Sequence, residues 1–531
     1  MNLKNLLFAA MLTAAAFPCA AQHSTADEIA KAAMKTYDAI IAQDPKDYQT
    51  LFRRGNELYK RNEYTKALDD VNGAIKYAPA SDKDLLFQAY SLRAGIYDRF
   101  KEYPLAIADL KKAIVLQPNS YSTIYQLGNM EFSAGKYPEA KATFKKLQSL
   151  NPRSQEALFG LARVAVKEND IAAATRYCDQ AVDITPTQSA VYMRRASVYQ
   201  MMGNDTEAVK DYTVALTLDR NNTSRALNAL ADMSRTNYGA VMQGLASAIA
   251  SHPRSGTFYY IRAMIAKAHF HYLPAISDFN YILEHNLFSF TSLYTDLADC
   301  YYNTGNYATA LEKADYAIGS SKDNAEGYYL KSLIKSAMDV PTSAIENADK
   351  AIIKNKDFSD AYIARGNAEC ALKFYSEASV SYGTAVTLEP NNPSFLMDRA
   401  YLLTTHLNQV GNARAIYEQV AALPYDADQV ISLKGFALMA LGRTDEADAW
   451  MNHLLTEVKD SDGEINYYGA CFYAQRGDKA KALECMERSL QAGYASYHNW
   501  TRAIDGGVNV APLRDDAAFQ SLLSRYSTLF R

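Results

Sequence analysis

Two histidines and two aspartates stand close enough along the chain to suggest a metal site. His269 and His271 occupy the stretch HFHY, and imidazole nitrogens are common zinc ligands. Residues two apart point to different faces of a helix, so this pair is not expected to share a metal ion. Asp296 and Asp299 are interpreted as ordinary solvated carboxylates. The sequence therefore predicts no metal site among these residues.

The cysteines do not suggest a disulfide framework or a zinc site. Apart from Cys19, the chain has five of them: Cys178, Cys300, Cys370, Cys471 and Cys485. The set is odd and scattered, it has no C-x-x-C spacing, and each member falls inside a helical pattern. We interpret these residues as small buried hydrophobic side chains.

No sequence motif indicates catalysis or nucleic-acid binding. The chain lacks G-x-S-x-G, H-E-x-x-H, a Walker loop and the Rossmann glycine pattern. Its net charge is −4, and it has no block of Lys and Arg that could follow a phosphate backbone. We predict a protein that is not an enzyme, requires no cofactor and binds no nucleic acid.

The first residues have the pattern of a secretory signal peptide. Lys4 precedes an apolar run from Leu6 to Phe17, and Ala20-Ala21 provides a cleavage site. The run is too short for a transmembrane helix. Pro18 before Cys19 departs from lipoprotein signals, so a lipid anchor is not expected. The sequence predicts export to the periplasm or cell surface, with a signal peptide over residues 1–21 and no transmembrane segment.

The rest of the chain consists of internal repeats. Alanines recur at a spacing of 34 residues at Ala106, Ala140, Ala174 and Ala208, and the series resumes at Ala275 and continues at Ala310, Ala344 and Ala378. Within one period the apolar residues predict a helix that ends at Gly135, and Pro138 lies in the first turn of a second helix. Small residues at these positions let two antiparallel helices approach closely.

The residues Leu127-Gly128, Ala140, Phe144 and Pro152 match the pattern of the tetratricopeptide repeat, which this chain therefore resembles. The resemblance covers about twelve repeats. It implies an all-α fold, a right-handed α-solenoid of helix-turn-helix units with terminal capping helices.

The same pattern predicts the organisation of the chain. After the signal peptide come an N-terminal capping helix (22–47), a first repeat array (48–222), a degenerate helical pair (223–255), a second array (256–496) and a C-terminal capping segment (497–531). Asp515 and Asp516 are placed to cap the last helix.

The resemblance further implies that the first helix of each pair lines a concave groove. Aromatic and amide side chains, which give large contact areas and backbone hydrogen bonds, recur on that face. The predicted partner-binding residues are Phe52, Asn56, Tyr59, Tyr125, Asn129, Phe132, Phe159, Tyr260, Tyr302 and Tyr329. The alternative for each tyrosine is packing between adjacent repeats.

Some members of the family bind chaperone C-termini through a clamp of Lys, Arg and Asn. Asn56 matches one clamp asparagine, but Phe52, Leu92, Ser122 and Gln126 replace the other clamp residues. We therefore expect a protein-interaction scaffold of the bacterial cell envelope that binds an extended peptide or a partner subunit. The alternative is a glycan-binding accessory protein of the outer envelope, because tyrosine faces also stack on sugar rings.

Overall fold

A computed structural model describes residues 20–219, 223–288, 291–321, 323–424, 432–501 and 508–531. The apolar run of the predicted signal peptide and Cys19 lie outside the described residues. Within those ranges the chain forms 28 α-helices and two short 3-10 helices, with no β-strand. Consecutive helices pack in pairs, so the predicted all-α solenoid fold is confirmed. The chain divides into two compact units, and the division falls between residues 226 and 227.

The N-terminal unit is a series of helices of similar length. They are α1 (Ala20–Gln43), α2 (Tyr48–Lys60), α3 (Tyr64–Tyr77), α4 (Lys83–Arg99), α5 (Tyr103–Leu116), α6 (Tyr121–Ser133), α7 (Tyr137–Leu150), α8 (Gln155–Lys167), α9 (Ile171–Ile184), α10 (Ser189–Met201) and α11 (Asp205–Leu218). From α2 onward, even-numbered helices are the first of a pair and odd-numbered helices the second.

Helix α12 (Thr223–Ser251) contains the boundary between the units. It is broken at Asn237, whose φ of −145° and ψ of 66° leave the helical range. This break lies in the stretch that the sequence analysis interprets as a degenerate repeat.

The C-terminal unit continues the pairing. Its helices are α13 (Gly256–Ala268), α14 (Tyr272–Glu284), α15 (Thr291–Asn303), α16 (Tyr307–Ser320), α17 (Ala325–Ala337), α18 (Pro341–Lys354), α19 (Ser359–Ala371), α20 (Tyr375–Leu388), α21 (Pro393–Thr405), α22 (Val410–Ala422), α23 (Ser432–Ala440), α24 (Thr444–Glu457), α25 (Glu464–Arg476), α26 (Lys479–Gln491), α27 (Tyr497–Thr501) and α28 (Ala517–Arg525). The 3-10 helices are Ala511–Leu513 and Ser527–Leu529. Asp516 caps α28 by accepting hydrogen bonds from the amides of Ala518 and Phe519, as predicted.

Small residues set the distance between paired helices. Ala140 and Phe144 of α7 are fully buried. The Phe144 ring fills the space beside Gly128 of α6 and Gly160 of α8, where an added Cβ would lie 2.6 Å and 2.5 Å from ring atoms. A larger residue at Gly128 would therefore separate α6 from α7. The sequence-based reason for the small residues is confirmed at this contact.

An Arg–Asp ladder crosses the repeats. We use this name for arginines on first helices that bind an aspartate 16 residues further along, on the second helix of the same pair. The pairs are Arg54–Asp70, Arg93–Asp109, Arg195–Asp211 and Arg262–Asp278, each with two charge-assisted hydrogen bonds of 2.6–2.8 Å. Such bidentate pairs are geometrically specific as well as strong.

Two ladder arginines also reach back to the preceding helix. Arg54 binds Asp38 at 2.7 Å and Arg195 binds Asp179 at 2.9 Å, again at a separation of 16 residues. One guanidinium thus joins three consecutive helices. The ladder fixes the register of neighbouring repeats in addition to the apolar core.

The cysteines confirm the interpretation as buried side chains. Cys178, Cys300, Cys471 and Cys485 are buried, Cys370 is partly buried, and all five are free thiols. Desolvation by burial raises the pKa of Cys178 to about 12, which makes a reactive thiolate unfavourable there. Among the described residues, no helix is both long enough and apolar enough to cross a membrane.

Candidate functional site

The end of the C-terminal unit returns to the beginning of the same unit. Lys459 donates a hydrogen bond of 2.8 Å to the carbonyl oxygen of Thr236, 223 residues away. Ser496 donates to Asn303 at 3.1 Å across 193 residues. The last repeat of this unit therefore contacts its first repeats, and the unit closes on itself.

His498 of α27 also takes part in these contacts between the end and the beginning of the unit, which we call the closure. Its Nε2 lies 2.7 Å from the hydroxyl of Tyr302, and its Nδ1 lies 3.1 Å from the hydroxyl of Tyr307. The neighbouring ring of Tyr497 packs on Gly305, where an added Cβ would lie 2.6 Å from the ring. Gly305 has a φ of +79°, so glycine is favoured there both by the backbone and by the close approach.

The histidines of the HFHY stretch belong to the same closure. They flank Phe270, which has a φ of +61° and whose ring lies 4.5 Å from that of Tyr494. His269 Nε2 lies 2.8 Å from the Ser234 hydroxyl. His271 Nδ1 lies 2.7 Å from the Tyr238 hydroxyl. Both rings also pack on Tyr238, so they have a structural role in this turn.

The closure surrounds a cavity of about 1970 Å³. First helices supply much of its wall: Lys267 from α13, Asp299 and Tyr302 from α15, Tyr329 from α17, Asp360 from α19 and Tyr468 from α25. The concave face of this unit is thus lined by the helices that the resemblance implied. A drug-sized pocket encloses about 300–1,000 Å³, so this cavity has room for a larger ligand.

The expectation that Asp296 is solvated is wrong, because it is 7% exposed. Asp296 and Asp299 both bind the Lys267 ammonium, each at 2.8 Å, and Lys267 itself is 7% exposed. Burial alone would lower the pKa of Lys267, but the charges of Asp296 and Asp299 together outweigh burial and raise it. Lys267 therefore stays charged within the wall of the cavity.

One oxygen of this cluster has no partner. Asp296 Oδ1 accepts the hydrogen bond from Lys267, whereas Asp296 Oδ2 is buried and has no hydrogen-bond partner among the described residues. Leaving a buried acceptor unsatisfied is costly, so such an atom needs an explanation.

A second group of carboxylates follows Lys459 in the chain and also lines the cavity. Asp460 holds the start of α25 by accepting hydrogen bonds from the amides of Ile465 and Asn466. Glu464 stands beside it, and desolvation by burial together with the Asp462 charge raises the pKa of Glu464 to about 7. In α19, burial raises the pKa of Asp360 to about 6.

Seven of the ten predicted groove residues lie in the N-terminal unit. Asn129 accepts a hydrogen bond of 3.0 Å from Arg163, whose guanidinium also lies 4.1 Å from the centre of the Phe132 ring. Phe159 is 6% exposed. The remaining four, Phe52, Asn56, Tyr59 and Tyr125, are partly buried. Phe52, Tyr59, Tyr125 and Phe132 also pack against core clusters.

The other three predicted residues lie in the C-terminal unit. Tyr302 and Tyr329 line the cavity, whereas Tyr260 is 8% exposed and contacts the rings of Phe279 and Phe288. Tyr302 is also engaged with His498, as described above. A binding role for any of the ten residues stays a prediction.

Sequence reasoning missed the acidic residues of the cavity and the arginine that organises Asn129 and Phe132. Glu326, Asp360 and Glu464 fall on first helices, two to four residues from the aromatic residues Tyr329, Phe358 and Tyr468, which also line the cavity. Carboxylates on the first helices, close in sequence to aromatic residues, are the signal that identifies them.

Comparison with known proteins finds similarity to the tetratricopeptide repeat over part of the chain. The tetratricopeptide repeat matches residues 131–198 and, in a second match, residues 189–222. Both stretches belong to the N-terminal unit. The first contains Ala140, Phe144 and Pro152, which carried the resemblance in the sequence analysis.

Individual proteins are similar over parts of the chain. Hsp70-Hsp90 organizing protein 1 of Glycine max is 32% identical over 126 residues, which are 24% of this chain and 21% of that protein. The chain thus spans about a fifth of the length of the soybean protein and of a wheat counterpart. TPR repeat-containing protein MJ1428 of Methanocaldococcus jannaschii is 23% identical over 410 residues, 75% of this chain and 67% of that protein. Yeast Tom70 has a TM-score of 0.36 and 14% identity, over 78% of this chain and 98% of its own.

Proposed function

This chain carries tetratricopeptide repeats, and we propose that it is a non-catalytic scaffold whose C-terminal cavity binds an extended segment of a partner protein. The observation that carries the proposal is the large cavity lined by first helices, within a unit closed by its own last repeat. The soybean relative is named for organizing two chaperones, which supports an interaction role in general terms. The clamp positions Phe52, Leu92, Ser122 and Gln126 favour a different ligand for this chain.

Peptide binding is favoured over glycan binding by the state of the aromatic rings. Sugar recognition requires free aromatic faces, yet Tyr375 at the cavity is stacked on His406 with ring centres 4.1 Å apart. Tyr494 is likewise stacked on Tyr467 at 4.8 Å. An extended peptide needs dispersed polar and aromatic contacts along the wall, which the first helices provide.

We place this scaffold in the bacterial cell envelope as an exported protein. Support comes from the Lys4, apolar and Ala20-Ala21 pattern of the first residues. Mass spectrometry of the protein from its native cells should find an N-terminus near Gln22. A full-length N-terminus would contradict export, and a diacylglycerol on Cys19 would replace the periplasmic location with a membrane anchor.

The interaction role is tested by crosslinking the mature chain in an envelope extract. Wild type should yield a defined partner with crosslinks on first helices that line the cavity. Tyr329→Ala should lose that partner, because Tyr329 lines the cavity and is partly buried. Tyr316→Ala is the matched control, since Tyr316 lies on the second helix α16 of the same unit and is 55% exposed. Crosslinks confined to second helices, or equal capture by Tyr329→Ala, would contradict the proposal.

A further inference from the structure

The cavity of the C-terminal unit is strongly acidic. Eleven Asp and Glu residues line it, against four Lys and Arg residues. The whole chain, by contrast, carries a net charge of only −4. Negative charge is therefore concentrated on this wall, and a concave wall of one sign attracts ligands of the opposite sign.

Two of the four cations in the wall, Lys267 and Lys459, are engaged by the protein itself. Lys267 is held by Asp296 and Asp299, and Lys459 donates its hydrogen bond to Thr236 across the closure. Within the described part of the chain, Glu326, Asp360 and Glu464 form no ion pair. Burial raises the pKa of all three, which shows that the protein supplies little to stabilise their charged forms.

An independent observation comes from the Lys267 cluster. Asp296 is more than nine-tenths buried, lines the cavity, and leaves Oδ2 without a hydrogen-bond donor among the described residues. A carboxylate oxygen accepts only, so the missing partner must be a donor. A charged donor would satisfy it best, because charge-assisted hydrogen bonds are the stronger ones.

Aromatic residues stand beside these carboxylates. Tyr329 lies on the same helix as Glu326, and its ring centre is 5.1 Å from that of Phe358, two residues before Asp360. Aromatic faces attract ammonium and guanidinium groups. They also pack on the aliphatic stems of Lys and Arg, which a small inorganic cation lacks.

We propose that this cavity binds a segment of a partner protein that carries Lys or Arg side chains. Asp296 Oδ2, Glu326, Asp360 and Glu464 are the acceptors for those side chains. The inference rests on the proposed function, since it names the chemistry of the segment that the scaffold would bind. It assigns the recognition to carboxylates that the sequence analysis did not select.

The test measures binding of labelled peptides to the mature chain by fluorescence anisotropy. The probe is a short peptide of lysine, glycine and serine, and the comparison peptides replace lysine by glutamate or by serine. The lysine peptide should bind most tightly, and added salt should weaken it. Asp360→Asn/Glu464→Gln should raise its Kd by about tenfold, because each change removes a carboxylate acceptor while keeping its shape.

A matched control keeps the charge change and moves it away from the cavity. Glu418→Gln/Glu484→Gln removes two carboxylates from the second helices α22 and α26 of the same unit, and should leave the Kd unchanged. Circular dichroism and thermal melting establish that both double variants are folded.

Three results would overturn the inference. They are equal binding of the lysine and glutamate peptides, an unchanged Kd in Asp360→Asn/Glu464→Gln, and equally tight binding of spermidine, which would make the site one for small cations. If partner crosslinks to the cavity persist in the envelope extract while the lysine peptide fails to bind, the inference fails and the proposed function stands. Loss of both results contradicts both.

Discussion

Side-chain contacts in the N-terminal unit join neighbouring repeats, as Arg163 does when it binds Asn129 34 residues before it. In the C-terminal unit, Lys459 instead reaches Thr236 across 223 residues, and Ser496 reaches Asn303 across 193. The same helical pair serves both arrangements. The repeat thus accounts for the stacking of adjacent helices, while polar residues such as Lys459 and Ser496 join distant parts of the C-terminal unit.

The strongest loss of stability is expected from a change in the Arg–Asp ladder of the N-terminal unit. Arg195→Met leaves Asp211, which is 2% exposed, without its bidentate partner. Breaking a buried pair on one side should lower the free energy of unfolding of this unit by about 3 kcal/mol. Differential scanning calorimetry and hydrogen exchange should show the loss there and leave the C-terminal unit unchanged.

Two variants make the ladder experiment specific. Arg194→Met removes the exposed, 3.5 Å pair with Glu156 next to the ladder, and should cost about 1 kcal/mol or less. Arg195→Met/Asp211→Leu replaces both buried partners and should recover most of the loss. Equal effects of Arg194→Met and Arg195→Met would show that the ladder adds no more than surface charge.

The next effect concerns closure of the C-terminal unit. His498→Ala removes the hydrogen bonds to Tyr302 and Tyr307 and leaves the hydroxyl of Tyr302, a 9% exposed residue, without that partner. We expect a loss of about 2 kcal/mol, confined to this unit. Hydrogen exchange should accelerate at residues 302–307 and 493–501. Unchanged exchange there would contradict the role of His498, and His453→Ala, at an exposed position on α24, is the control.

A smaller effect is the pH dependence of the stability of the C-terminal unit. Burial raises the pKa of Asp360 to about 6 and of Glu464 to about 7. Between the unfolded and folded pKa values the folded unit binds more protons than the unfolded chain, so its stability falls as pH rises. The melting temperature of the C-terminal unit should fall by about 2–4 °C between about pH 5 and about pH 7.5.

The pH effect has an internal control. Asp360→Asn/Glu464→Gln should flatten this dependence, and a dependence that persists would assign it to other groups. Among the described residues, the titratable groups next to Glu464 are Asp460, Asp462, Tyr272, Tyr468 and Tyr494, and Glu389 is next to Asp360.

The smallest effect would extend the ladder. Arg399 stands at a ladder position, but Gly383 and Ala415 occupy the places of its aspartates, and its buried Nε has no hydrogen-bond partner among the described residues. A Cβ at Gly383 would lie 3.9 Å from the guanidinium carbon. Gly383→Asp should therefore stabilise the C-terminal unit by about 0.5 kcal/mol beyond Gly383→Ala, which gains helix propensity alone. Equal melting temperatures of the two variants would contradict a ladder at Arg399.

The fold was predictable because its causes are local and repeated. Ala140, Phe144 and Gly128 form the packing contact of one helical pair, and small residues recur at the corresponding positions of other repeats. The Arg–Asp ladder could also have been predicted, since Arg and Asp recur 16 residues apart. The tetratricopeptide pattern itself does not include these residues. The cavity was not predictable, because its lining residues come from positions far apart in the chain, and because Asp296 is buried against Lys267 of another helix. From the sequence alone Asp296 is expected to be solvated, because the residues that bury it lie on other helices.

The 223-residue span between Thr236 and Lys459 also bears on the order of synthesis and folding. Repeats of the N-terminal unit can acquire their contacts one after another while the ribosome is still adding residues, because each repeat needs only its neighbour. The first helices of the C-terminal unit cannot form these contacts until residues 493–501 have been synthesised. Contacts of such long sequence separation form slowly. Truncation before His498 would therefore leave helices α13 to α16 exposed to chaperones and proteases.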